Sequence, residues 1–217
     1  MSERLRHGKI ELALHRLREG GGRTLLLLHG LGERSPRALP ETLAAWPGPV
    51  AALDFTGHGD STRPVGGGYF AELMVADADA ALARLGEATL LGRGLGAYVA
   101  LLLAGGRPEA VRGALLCDGP GLAGGGPHPR DPSLALPPPD APQGGADPLA
   151  RLELSRDVRP PGYAALYLAL ANARPGQSEP VWICAEERPP WLAGLLGRPG
   201  VAVASLAEAL AACAKLA

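Results

Sequence analysis

The chain has 217 residues, a formal net charge of −1, 47% hydrophobic and 20% charged residues. That length supports one domain with a buried core, and the near-neutral charge excludes a strong electrostatic pull toward nucleic acid or anionic membrane. Three widely spaced cysteines, Cys117, Cys184 and Cys213, include no C-x-x-C pair, so neither a disulfide framework nor a cysteine zinc site is implied.

In chain order, Met1 to Arg18 is charged throughout and has no apolar signal core. No run reaches the ~20 apolar residues of a membrane span, so a cytoplasmic protein is expected. Lys9 to Leu17 alternates and predicts an edge strand. After Gly20-Gly21-Gly22, the unbroken apolar run Thr24 to Leu28 predicts a central parallel strand, ending at the loop His29-Gly30-Leu31-Gly32. Pro36 to Trp46 predicts a short helix stopped at Pro47. Val50 to Phe55 predicts a strand running into the polar turn Asp54 to Ser61. Tyr69 to Leu85 places apolar residues at helical spacing.

Ala88 to Leu91 predicts a strand, followed by a glycine-dense turn and an apolar helix ending near Gly105-Gly106. Val111 to Cys117 predicts the next strand, ending at Asp118. Glycine and proline make up over half of residues 119–148, which argues against a packed element there. Pro148 to Arg156 and Pro161 to Ala173 predict helices. Pro180 to Ala185 predicts a strand, Pro190 to Leu196 a short helix, Val201 to Ala204 a strand and Leu206 to Leu216 an amphipathic helix. Cys117 and Cys184 lie in apolar runs and read as small buried hydrophobes. Alternating strands and helices predict a doubly wound, mostly parallel α/β sheet. The chain reads as one domain, 1–217, with 119–173 as a reduced, Gly/Pro-rich cap or insert.

Three ordered motifs resemble the α/β-hydrolase fold family over residues 9 to 118. His29-Gly30 looks like its oxyanion loop. Asp54-Phe55-Thr56-Gly57-His58-Gly59-Asp60-Ser61 looks like its D-x-x-G-x-G-x-S turn. Gly92-Arg93-Gly94-Leu95-Gly96 looks like its nucleophile elbow, G-x-S-x-G. The resemblance implies a serine nucleophile, a histidine base and an acid. Here Gly94 stands at the nucleophile position, and no histidine follows His128. The acid would follow Val181 to Ala185, where the chain reads Glu186-Glu187-Arg188. Only a shifted register would make Glu187 the acid.

What the resemblance leaves is a binding architecture. The backbone N–H groups of Leu31 and Leu95 would form the oxyanion hole, beside a helix N-terminus that favours an anion or carbonyl oxygen. Gly94 removes a side chain from the floor of that pocket. The candidate pocket residues are His29, Gly30, Leu31, His58, Arg93, Gly94 and Leu95, with His29 and His58 shaping loops rather than acting as bases. The expected function is a catalytically degenerate family member that binds a small ligand or a protein partner there. An alternative is an ester-type hydrolase with a relocated site, using Asp118 and His128, with Ser61 on a neighbouring loop. The bland reading of Asp118 is a turn carboxylate. A third reading is a dinucleotide site, because Gly92-x-Gly94-x-x-Ala97 fits G-x-G-x-x-G/A and Asp118 ends the next strand. That fingerprint normally sits in the first βαβ unit, whereas at least three strands precede it here. No cofactor or metal is expected, and no nucleic acid or membrane partner.

Overall fold

The structure, a computed structural model, describes residues 2–125, 145–173 and 179–215. The chain forms strands β1 (Ser2–His7), β2 (Ile10–Arg18), β3 (Thr24–Leu28) and β4 (Val50–Asp54). Helix α1 (Ala71–Leu85), β5 (Ala88–Arg93), α2 (Leu95–Gly106) and β6 (Val111–Cys117) follow. Then come α3 (Pro148–Arg156), α4 (Pro161–Ala171), β7 (Val181–Ile183), α5 (Pro190–Ala193), β8 (Val201–Val203) and α6 (Leu206–Lys215). The strands join in one sheet in the order β1-β2-β4-β3-β5-β6-β7-β8. β2 pairs antiparallel with β1 and β4, and the pairs from β4 to β8 are parallel. This is the predicted doubly wound, mostly parallel architecture.

Alternation along each strand divides the core between the two sheet faces. Leu26, Leu28, Leu90 and Leu116 pack with α1, α2 and α4, while Leu25, Leu27, Leu91 and Leu115 pack with α6. Both faces are covered, which explains the unbroken apolar run in β3. Helix α2 is buried along almost its whole length. Among the described residues no helix is long and apolar enough to cross a membrane.

Two expectations are corrected. The strand read as an edge, β2, lies inside the sheet, because β1 pairs along its outer side. β1 contains one large apolar residue, Leu5, and its charged residues suit an exposed sheet edge. The helix expected over Pro36 to Trp46 is only a 3₁₀ turn, Glu41–Leu43. Pro40 supplies no N–H and disfavours helical backbone at the residue before it, and Pro47 closes the segment. Arg18 holds the segment instead, donating to the carbonyls of Ala44, Trp46 and Gly48. With no full helix there, that part of the sheet face has only a loop over it.

Candidate functional site

The C-terminal ends of β3, β5 and β6 meet at the elbow. Gly94 links β5 to α2 with φ 54° and ψ −116°, a left-handed conformation that glycine adopts at least cost. Its flanking glycines permit close approach. A Cβ on Gly92 would lie 2.1 Å from the Gly96 carbonyl oxygen, and one on Gly96 would lie 2.2 Å from that of Leu28.

The space that Gly94 frees is taken by the chain itself. A Cβ on Gly94 would lie 2.0 Å from the Pro120 carbonyl oxygen and 2.6 Å from the Gly119 carbonyl carbon. That same Pro120 oxygen accepts the N–H of Leu31 at 2.9 Å and the N–H of Leu95 at 3.0 Å. These are the two donors that the resemblance assigns to an oxyanion hole. They do converge on one oxygen, and that oxygen belongs to the backbone. It also takes the N–H at the helix start, where a dinucleotide pyrophosphate would sit.

The loop that delivers this carbonyl is fastened from several sides. Trp191 Nε1 donates to the Leu122 carbonyl at 2.8 Å, and buried Arg159 donates to the carbonyls of Gly121 and Leu122. The Arg159 guanidinium also stacks over the Tyr98 ring, 4.9 Å from its centroid, and Tyr98 meets Trp191 edge-on. Nothing in residues 119–121 announces this arrangement beyond their Gly-Pro-Gly composition. Arg159 and Trp191, which fasten the loop, reach it from distant segments, so no sequence spacing ties them to it.

His29 and His58 shape loops. His29 Nδ1–H donates to the Gly30 carbonyl at 2.8 Å, and its Nε2 accepts the Phe55 N–H at 3.1 Å. His58 Nδ1–H donates to the Thr56 carbonyl at 3.0 Å, and its Nε2 accepts the Gly32 N–H at 3.2 Å. The backbone partners assign these tautomers. With both ring nitrogens engaged, neither ring has a lone pair free to take a proton from a substrate. Burial pushes both pKa values down, His58 to about 3 with help from the neighbouring His29. Ser61 is equally occupied: its Oγ donates to the Asp54 carbonyl and accepts the Ala13 N–H at 2.9 Å.

Asp118 adopts the turn role. Its two carboxylate oxygens accept the N–H groups of Glu186 at 2.6 Å and Glu187 at 3.0 Å, tying the end of β6 to the turn after β7. Arg188, near where the resemblance puts the acid, lies on this turn with Glu187, which only a shifted register would bring there, and Arg188 donates to the Glu187 carbonyl. Past β8, where the base would follow, Ser205 and Glu208 form a reciprocal cap on α6. The S-x-x-E spacing was available in the sequence. His128 lies outside the described residues. Asp118→Ala is expected to cost about 1–3 kcal/mol by removing two charge-assisted hydrogen bonds at an exposed turn, read as a lower urea midpoint.

Beside the elbow, the loop that replaced the expected helix borders a cleft of about 530 Å³. Leu27, Leu28, Leu43, Leu91 and Leu206 supply apolar wall, and His29, Glu33, Arg93 and Cys117 supply polar atoms. Arg93 pairs with Glu33 at 3.0 Å, and Glu33 also accepts the Gly30 N–H at 3.0 Å. Burial raises the Glu33 pKa, but the Arg93 and Gly30 hydrogen bonds outweigh it and hold the carboxylate below its ordinary value. The cleft thus keeps His29 and Arg93 of the expected pocket residues, and Gly94, Leu31 and Leu95 face the Pro120 loop. Cys117 and Cys184 are half-buried rather than buried, a correction to their reading as core residues.

Among the described residues, one acidic group has metal-like spacing: His15, Asp54 and Asp60. A cation already stands there, since Arg37 pairs with Asp60 at 3.0 Å and lies against His15. Asp54 further accepts the N–H groups of Ser35 and Asp60.

No curated protein matches the chain. Among solved structures, a thioesterase domain from the curacin biosynthetic pathway superimposes at a TM-score of 0.66, with 20% identity over 100% of this chain and 98% of that one. E-2-(acetamidomethylene)succinate hydrolase superimposes at 0.60, with 21% identity over 95% and 91%. At these identities the likeness is one of fold. An epoxide hydrolase from Vigna radiata aligns at 26% identity and a TM-score of 0.48, over 55% of this chain and 38% of that one, too loosely to bear on either fold or function. The family model for the alpha/beta hydrolase family matches residues 25–214, a span that holds the elbow, both loop histidines and the strands that carry them. By that match and the sheet order, the chain belongs to the alpha/beta hydrolase family.

Proposed function

We propose that this chain is a non-hydrolytic member of its family that binds a small ligand in the cleft beside the elbow. One observation carries the reading: the Pro120 carbonyl oxygen is bound by the N–H groups of Leu31 and Leu95, where an acyl oxygen would have to bind. Turnover of an ester needs a nucleophile and a donor pair preorganised for the developing oxyanion. Gly94 supplies no nucleophile, and the donors are already engaged by a loop that Arg159 and Trp191 fasten. The cleft, with apolar walls and the Arg93–Glu33 pair at its polar end, suits a ligand with an apolar body and one polar head.

The test is turnover of short-chain p-nitrophenyl esters by purified protein. The expected result is a rate equal to buffer, unchanged in Asp118→Ala. Hydrolysis that disappears in Asp118→Ala would overturn the reading and favour a relocated hydrolase site. Binding is read separately, as an octanoate-induced rise in melting temperature that Leu91→Arg abolishes.

A protein partner is the second reading. Leu149, Val158, Leu166 and Leu170 are exposed apolar residues in the region between β6 and β7. Leu166 and Leu170 share one face of α4 at i, i+4 spacing, and exposed apolar residues on one face suit contact with another protein. Strictly monomeric behaviour with no captured partner would count against it.

A further inference from the structure

Two thiols meet at the edge of the cleft. Cys117 closes β6 and lines the cleft wall. Cys184 lies one position beyond the last β6–β7 pair, Leu116 with Ile183. The Cys184 N–H donates to the Leu116 carbonyl at 2.9 Å, which holds Cys184 alongside Cys117, near the ~4.8 Å spacing of adjacent strands and inside the Cα range a disulfide spans. Both side chains lie on the α6 side of the sheet, packed against the same core cluster, and each thiol shifts the other's pKa. Arg93 is the register partner of Cys117 on β5 and lines the same cleft. The sequence pairs neither cysteine with the other, since 66 residues separate them in the numbering.

We propose that Cys117 and Cys184 form a reversible dithiol–disulfide site, oxidised by an organic hydroperoxide that enters the cleft. Cys117 is the attacking sulfur. The Cys184 thiol lowers its pKa against the opposing effect of burial, and the Arg93 charge lowers it further. A thiolate is the reactive form, and neighbouring cations promote it. The apolar walls favour the alkyl part of the oxidant.

In the first step the Cys117 thiolate attacks the terminal peroxide oxygen. The O–O bond breaks, Cys117 becomes a sulfenic acid, and the leaving alkoxide takes up a proton to depart as an alcohol. The Cys184 sulfur then attacks the Cys117 sulfur. The S–O bond breaks, and the leaving hydroxide takes the Cys184 proton and departs as water. Two thiols and one hydroperoxide thus give one disulfide, one alcohol and one water. A thiol reductant reverses the change. The chemistry is independent of whether the cleft also holds the ligand proposed above.

Cys213 provides the internal comparison: it is fully buried, and burial pushes its thiol up to about 11. Full-length protein is treated with tert-butyl hydroperoxide and followed by intact mass and peptide mapping. The expected result is a mass loss of about 2 Da, a Cys117–Cys184 cross-link and recovery with dithiothreitol. In Cys184→Ser the sulfenic acid persists at Cys117 and is captured by dimedone. Iodoacetamide is expected to label Cys117 at least about tenfold faster than Cys213. Absence of the cross-link, a cross-link through Cys213, or Cys117 labelling no faster than Cys213 would each overturn the proposal.

Discussion

Gly94→Ser is expected to yield a less stable protein that still fails to hydrolyse esters. In a family whose chemistry rests on a serine at this position, restoring it is the natural rescue. Here the new Cβ would lie 2.0 Å from the Pro120 oxygen and 2.6 Å from the Gly119 carbonyl carbon. Those atoms are backbone, held by the amides of Leu31 and Leu95 and by the Arg159 and Trp191 clamp. Overpacking costs about 1–3 kcal/mol, and a non-glycine residue in such a conformation adds about 1–3 kcal/mol. A loss of about 4 kcal/mol is therefore expected, read as a drop in the urea midpoint. Even a folded variant would meet an occupied donor pair, and the described residues after β8, where the base would follow, hold the Ser205–Glu208 cap. A Gly94→Ser protein with wild-type stability and measurable esterase activity would mean that the loop moves aside.

The second large effect is acid sensitivity. Burial lowers the pKa of both His29 and His58, His58 to about 3, against about 6.5 in an unfolded chain. The unfolded state therefore binds protons first. The stability these rings contribute is fully present above pH ~6.5 and is lost progressively as the pH falls toward the depressed folded value. At pH 5 the loss is about 2 kcal/mol for His58, and His29 acts in the same direction. Urea unfolding at pH 7.5 and pH 5 measures it. His58→Gln should lower stability at pH 7.5 and remove about 2 kcal/mol of the pH-dependent difference. An identical pH dependence in wild type and His58→Gln would refute the assignment.

Much of the fold was legible because its signals are local and ordered. Unbroken apolar runs marked β3 and β6, helical spacing marked α1, and the three motifs fell in family order. The misreadings have equally local causes. β1 offers only Leu5 to a hydrophobic pattern, and the helix at 36–46 was read across Pro40, which restricts it to one 3₁₀ turn. At the site, the sequence put glycine at 94 and read His29 and His58 as loop-shaping, a role their backbone hydrogen bonds fill. It did not disclose what fills the vacated space. A carbonyl from residue 120 reaching donors at 31 and 95 is a tertiary fact with no spacing to betray it. The same holds for the apposition of Cys117 and Cys184, which exists only because β6 and β7 are sheet neighbours.

The central claim is that the chain's own backbone occupies the donor pair at the elbow, and amide hydrogen exchange of Leu31 and Leu95 tests it most directly. Both residues are almost completely buried, and both N–H groups donate to the Pro120 oxygen at 2.9 and 3.0 Å. Exchange resolved by two-dimensional NMR should find both amides protected by on the order of 10³-fold or more, like core strand amides. Exchange of either amide within minutes, while neighbouring strand amides stay protected, would place water rather than Pro120 at the donor pair and contradict the account.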